Sequence, residues 1–505
     1  MNVFKWFKNL FNPIDLTRGS ILKNIIIFLI PILLSLIFQQ LYSLTDAIIV
    51  GQTLSSPEIS GINDVGPLCN IALQFAIGCT SGFSVIIANL IGKKDKDGAR
   101  KSFIVQIILS LIITIILTIA FCLSTDSLLS LMDIKSSEID VNKQMVYEAA
   151  HDYLFVIYLG IICQMGYNLI VANLRALGDS FTPFLFLVFG TIANIFLDLL
   201  FIIPLKLGVA GSAWATNLSQ LLAAIGCFIY AFIKYPFLKP KKEDFKFNYK
   251  FIVAHLKDGC PLGFNFAILQ IGIVIMQMAV ISFDYDPNGN MLATQPAQIG
   301  YSIACKIIMI LVNAYNALGT CAITYFGQND GAKNYERINK GFKTLFIIGI
   351  IMWIGLGGIF LLMTINGAYL YIFLDKSKIN ADVIKFGNDY LYVTLPLSII
   401  VMILILLRNT LSGLNKPLTP FLAGIGELLA RSLLCLFLPE IVNGGPINSL
   451  ANEASYITTC FADPLAWIAA SLIMIVPMIL VIKNNNKLIA QNKIVVGNSP
   501  TTINN

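Results

Sequence analysis

Twelve separate stretches of this chain are long and apolar enough to cross a lipid bilayer, and no other feature restricts its fold as strongly. A helix needs about 20 mostly apolar residues to traverse the hydrocarbon. Inside lipid, backbone polar groups must be satisfied within helices or closed barrels. The runs fall at 21–50, 65–91, 103–124, 152–173, 184–205, 210–233, 251–282, 298–326, 342–365, 387–407, 418–438 and 462–482. Only 12% of the 505 residues are charged and 57% are hydrophobic, about half the charge of a soluble domain. Such a surface needs lipid to cover it. The expected fold is an all-α integral membrane protein with twelve transmembrane helices. Several runs exceed 25 residues, which predicts tilts, kinks or breaks.

The basic residues orient the spans. With both termini on one side, 26 Lys and Arg residues fall on that side. Six fall on the other: Lys135, Lys143, Lys206, Lys376, Lys378 and Lys385. Lys306 and Arg431 lie within spans. Cytoplasmic loops carry the excess of Lys and Arg, so the expectation is a multi-pass plasma (inner) membrane protein with both termini cytoplasmic. The net charge of +6 is then a membrane signature that calls for no nucleic acid partner. Lys5 and Lys8 interrupt the first apolar stretch, which excludes a cleavable signal. With Phe4, Trp6, Phe7, Leu10 and Phe11 they predict a short interfacial helix instead.

Ten cysteines are scattered without a Cys-x-x-Cys, and His151 and His255 stand far apart. Neither a metal centre, a resident cofactor nor a nucleophilic catalytic group is indicated, and no Walker A motif supports direct ATP drive.

An internal repeat divides the chain. Leu174-Arg-Ala-Leu-Gly-Asp-Ser-Phe-Thr-Pro-Phe184 aligns with Leu411-Ser-Gly-Leu-Asn-Lys-Pro-Leu-Thr-Pro-Phe421 at an offset of 237. Gly92 with Asp95, Gly98, Ala99 and Arg100 resembles Gly327 with Asp330, Gly331, Ala332 and Arg337. Pro31 matches Pro261, and Trp214 matches Trp467. We expect a terminal segment 1–20, an N-lobe 21–233, a basic cytoplasmic linker 234–250, a C-lobe 251–482 and a tail 483–505, giving two pseudo-symmetric six-helix bundles. Parallel repeats of this kind commonly enclose a midplane site with alternating access.

The chain also resembles the multidrug and toxic compound extrusion (MATE) family, in its DNA-damage-inducible-like branch. The resemblance rests on Asp15-Leu-Thr-Arg-Gly-Ser20 leading to Phe28-Leu-Ile-Pro31, and on Gln39-Gln-Leu-Tyr-Ser-Leu-Thr-Asp-Ala-Ile-Ile-Val-Gly51. It also rests on Asn194-Ile-Phe-Leu-Asp198, Gly208-Val-Ala-Gly-Ser-Ala-Trp-Ala-Thr216, and Phe326-Gly-Gln-Asn-Asp-Gly-Ala332 with Arg337. Ser55–Gly66, with Pro57, Asn63 and Asp64, departs from the family's Ala-rich start to span 2. The outer loops 283–297 and 439–461 look long. The resemblance implies a monomeric antiporter, not an enzyme, exporting small organic compounds in exchange for Na⁺ or H⁺. A flippase for a lipid-linked precursor and an integral-membrane enzyme are the alternatives.

The intramembrane polar residues are the candidate sites. Gln39, Tyr42 and Asp46 share one helical face, and Asn194 and Asp198 are i, i+4 neighbours. An Asp inside a span costs about 2.5–3.5 kcal/mol on insertion scales. Carboxylate, amide and hydroxyl oxygens suit a hard cation, either carboxylate could hold a proton, and a hydrogen-bonded structural network is the competing reading. The resemblance implies that Asp46, Asn194, Asp198 and Thr216 form a cation-coupling site able to take Na⁺. The acidic residue that the other branch carries in span 7 is missing from Pro261–Phe283. Asn194 aligns with Arg431 and Asp198 with Cys435, so the C-lobe equivalent already holds a fixed cation. Glu427 and Arg431, at i, i+4, predict a structural ion pair whose exchange folds better than either single neutralisation. Gln39, Tyr42, Gln270, Met276 and Lys306 are candidate substrate-lining residues, Lys306 without a partner nearby in the sequence.

Overall fold

The computed structural model describes residues 12–497, apart from 133, 138, 139, 247, 377 and 378, and no side chain beyond 491. The expected interfacial helix around Phe4–Phe11 lies outside the described residues. In chain order the α-helices are α1 (Ile21–Thr53), α2 (Ser56–Gly92), α3 (Lys96–Leu123), α4 (Thr125–Leu131), α5 (Val141–Leu159), α6 (Ile161–Ala176), α7 (Phe181–Ile202) and α8 (Gly208–Lys234). They continue as α9 (Tyr249–Ile281), α10 (Pro296–Gly331), α11 (Tyr335–Met352), α12 (Gly358–Leu362), α13 (Ala381–Gly413), α14 (Leu418–Asn443), α15 (Glu453–Cys460) and α16 (Ala462–Gly497). Among the described residues, eleven segments are long and apolar enough to span a membrane, and the bent pair α5–α6 makes a twelfth. The all-α, twelve-span expectation therefore holds.

Lipid explains the outward faces. Ile112, Ile115, Ile116 and Ile119 of α3 are exposed, a pattern that water would not tolerate over so many helices. The helices outrun their apolar cores. α2 begins at Ser56, ahead of the expected 65, and α16 continues to Gly497, past 482. The long outer loop expected at 439–461 is largely helical, since α14 reaches Asn443 and α15 starts at Glu453.

The bend of 45° between α5 and α6 has a local cause. Asn217 of α8 presses its side chain against Gly160, where a Cβ would collide, and donates to Val156 O at 2.7 Å. Only glycine fits there.

The chain packs as two units. Ile26–Ile91 and Asp95–Ile275 belong to one, with Asp15–Ile25, Gly92–Lys94 and the residues from Met276 onward in the other. In the first unit, Phe103, Ile170, Leu174, Cys227 and Leu238 share a core. The segment after α8 is docked there. Leu238 is buried, and Arg100 grips Asp244 through Nε at 2.7 Å and a terminal nitrogen at 3.1 Å. Its hydrogen bonds and charge hold the Asp244 carboxyl below the usual carboxylate range.

In the second unit, two of the family-like motifs turn out to be partners. Leu16 N donates to Gln328 Oε1 at 3.1 Å, and Arg337 donates to the carbonyls of Gly19 at 2.7 Å and Leu16 at 2.9 Å. The repeat also survives in the backbone. Gly178 (φ 88°) and Asn415 (φ 56°) are one offset apart and both left-handed, at helix ends where Gly or Asn serves best.

Candidate functional site

In the first unit, α1 contributes Tyr42 and Asp46, α7 contributes Asn194 and Asp198, and α8 contributes Ser212 and Thr216. The helical spacing selects them. Asn194 and Asp198 lie one turn apart on the face of α7 that is completely buried, and Ser212 and Thr216 lie one turn apart on α8. Tyr42 Oη and Thr216 Oγ1 are 3.2 Å apart. The Asp46 carboxyl faces Asp198 and the Ser212 hydroxyl, while Asp198 also faces Asn194.

These groups nevertheless leave much unsatisfied. Among the described residues, Asp46 Oδ1, both Asp198 oxygens and both amide atoms of Asn194 are buried with no hydrogen-bond partner. A buried unpartnered polar atom costs about 1–3 kcal/mol, and more if charged. Four of the five are oxygens, three of them carboxylate, and these four form a ligand set that fits a hard cation or a proton, whereas the amide nitrogen is an N–H donor and ligates neither. The four expected coupling residues are thus gathered around a shared deficit of positive charge. Ser212 and Tyr153, whose side chain senses Asp46, Tyr42 and Asp198, escaped the sequence reading. The i, i+4 spacing of Ser212 to Thr216 was the signal for the first, whereas nothing local marked Tyr153.

The second unit resolves the same problem internally. Arg431 donates to Glu427 Oε1 at 3.1 Å and to Asp463 Oδ1 at 2.8 Å. Arg408 donates to Glu427 Oε2 at 2.8 Å, and Tyr390 donates to Asp463 Oδ2 at 2.8 Å. The pair expected from i, i+4 spacing is the middle of a chain of alternating charges, two positive and two negative. Arg408, one position past the apolar run 387–407, is a buried residue of α13.

The remaining candidates disperse. Gln39 is exposed on α1 and Gln270 half-buried on α9. Met276 is buried, its sulfur accepting from Cys435 Sγ at 3.5 Å. Lys306 has a partner after all, its Nζ standing 5.3 Å above the Phe373 ring centroid.

A multi-pass helical membrane protein with an internal repeat and a buried acidic cluster has the build of a secondary transporter. The chain matches the MatE family over residues 31–200 and 299–437, and it belongs to that family, one of transporters and not of enzymes. It is 27% identical over 327 residues to the probable multidrug resistance protein YpnP of Bacillus subtilis, covering 64% of this chain and 68% of that one. To the probable multidrug resistance protein YoeA of the same organism it is 24% identical over 371 residues, covering 72% and 75%. The fold matches the outward-facing conformation of a multidrug resistance MATE family transporter of the MOP superfamily. The TM-score is 0.79 at 20% identity, over 94% of this chain and 99% of that one.

Proposed function

We propose that this protein exports small organic compounds, cationic or amphipathic, in exchange for Na⁺ or H⁺ that enters through the Asp46–Asn194–Asp198–Thr216 cluster. The names of the relatives support the substrate class. The observation that carries the coupling site is the set of four buried, unpartnered oxygen atoms on Asp46, Asn194 and Asp198. Two carboxyl groups facing each other repel when both are charged, and a cation or a proton relieves that repulsion. Binding therefore favours a packing in which α1, α7 and α8 close on the cluster, and release favours the alternative. An antiporter needs such a bias, because cation and substrate must act on one equilibrium for the gradient to drive export.

On this reading 21–233 and 251–482 are the halves that alternate access, and the chain is a monomer in the plasma membrane with its termini in the cytoplasm. Purified protein in liposomes, given Na⁺ and pH gradients separately while a fluorescent cationic dye is followed, tests the reading. One of the gradients is expected to drive dye movement. Wild-type flux in the double variant Asp46→Asn/Asp198→Asn would place coupling elsewhere.

A further inference from the structure

Helices α2 and α9 cross through glycines on both sides. A Cβ on Gly78 would lie 2.5 Å from Leu262 O and 2.7 Å from the Cα of Gly263, while one on Gly82 would lie 2.7 Å from the Cα of Gly259. Gly78-x-x-x-Gly82 thus faces Gly259-x-x-x-Gly263. This small-xxx-small pairing lets backbones touch within lipid, closer than the usual interaxial separation of about 8–10 Å.

Each motif carries a cysteine directly after its first glycine. The thiols of Cys79 and Cys260 face each other, and the Cys79 sulfur packs 2.5 Å from where a Gly263 Cβ would stand. A disulfide needs Cα atoms about 4.4–6.8 Å apart, a range that two helices reach only when nothing larger than glycine separates them. Cys79 lies 13 residues before the end of α2 and Cys260 lies 11 after the start of α9, so both sit about 15–20 Å from those helix ends. A small neutral oxidant can reach that depth. Cys260 is partly exposed, whereas Cys79 is buried.

We propose that Cys79 and Cys260 form a redox modification site, in which a peroxide converts the two thiols into an intramolecular disulfide joining α2 to the first half of α9. One sulfur attacks the O–O bond, giving a sulfenic acid and one water. The second sulfur then displaces the hydroxyl group from the sulfenic sulfur, forming the S–S bond and releasing a second water. The two thiols lose two electrons, and one peroxide is reduced. Pro261 follows Cys260 directly, so the bond pins the α9 segment entering the proline and restrains sliding between the two helices. The consequence for flux rests on the export reading above, while the cross-link itself does not.

The full chain in liposomes is treated with hydrogen peroxide, alkylated, digested and analysed by mass spectrometry. A linked Cys79–Cys260 peptide is expected, together with at least a fivefold fall in dye flux that dithiothreitol reverses. Cys79→Ser, Cys79→Ala and Cys260→Ser are expected to keep their flux and lose the sensitivity. Free, alkylated Cys79 and Cys260 after peroxide treatment would overturn the modification site, and a linked peptide with unchanged flux would overturn the restraint that it places on α2 and α9. If untreated protein moves no dye, the export reading fails, and the peptide analysis still decides the modification site.

Discussion

The two halves of the repeat place polar clusters at matching positions and neutralise them in opposite ways. Around Asn194 and Asp198 the first unit assembles two carboxyl groups with no basic side chain among their partners in the described residues, leaving five polar atoms unpaired. Around Arg431 and Cys435, one offset away, the second unit alternates Arg408, Glu427, Arg431 and Asp463. One cluster carries its counter-charges in its own sequence. On the function proposed above, the other takes them from solution. A buried ion network is a fixture, because removing one partner strands another, whereas a cluster lacking positive charge has two states. On the same proposed function, a pair of equivalent positions in the repeat serves as one anchor and one sensor.

The largest expected effect comes from breaking the anchor. Arg431→Met leaves Glu427 and Asp463 buried without their shared partner and should cost about 3–5 kcal/mol, read as a lower thermal unfolding midpoint in detergent. Exchanging Glu427 and Arg431 was expected from sequence to preserve folding. The full network reverses that expectation, since the exchange sets Arg beside Arg408 and Glu beside Asp463. We now expect Glu427→Arg/Arg431→Glu to fold no better than the single variants, and a well-folded double variant would show that the outer two members contribute little. Next in size is the sensor. Asp46→Asn and Asp198→Asn should be at least as stable as the parent yet lose gradient-driven export. Any stabilisation of the parent by Na⁺, which follows mass action, should vanish in Asp198→Asn, and a loss of stability as large as that in Arg431→Met would erase the contrast.

Thr216→Val removes one hydroxyl while keeping the shape. It should weaken cation affinity about fivefold, the equivalent of one hydrogen bond near 1 kcal/mol, measured as a shift in the cation concentration for half-maximal export. The smallest effect belongs to a paired carboxylate outside the spans. Asp244 is depressed below the ordinary carboxylate range by Arg100. Its contribution is therefore complete above the unfolded value of about 3.9 and is lost as pH falls through its lower native value. Asp244→Asn should free the segment 236–246 for limited proteolysis at neutral pH, with little change in the unfolding midpoint.

How far the sequence discloses all this depends on the distance over which each cause acts. Apolar runs locate the hydrocarbon-crossing part of each helix because lipid acts on every residue in the run. They do not locate helix ends, so α2 begins in the polar stretch around Asn63 and Asp64, and α16 runs on through Lys483 and Lys487. Glu427 and Arg431 are legible as a pair because one helical turn joins them, while Arg408 and Asp463, 19 and 32 positions away along the chain, become partners only through packing. Asp46, Asn194 and Asp198 stand out because charge and amide groups are rare in such surroundings. The bend at Gly160 could not be anticipated, since its cause is an asparagine on another helix. Lys306 likewise finds Phe373 only in three dimensions.

The assignment of Asp15–Ile25 to the second unit bears on how the protein is made. Leu16 and its acceptor Gln328 are 312 residues apart, so at a synthesis rate of roughly 5–20 residues per second the first leaves the ribosome about 15–60 s before the second exists. For most of that interval the first unit is incomplete too, since it extends to Ile275 in α9. Nascent halves therefore hold open places for each other's segments, and a ribosome that stalls within 234–248 releases a chain in which neither unit can close. Quality control in the membrane would meet such a product as a fragment with an unfilled seat.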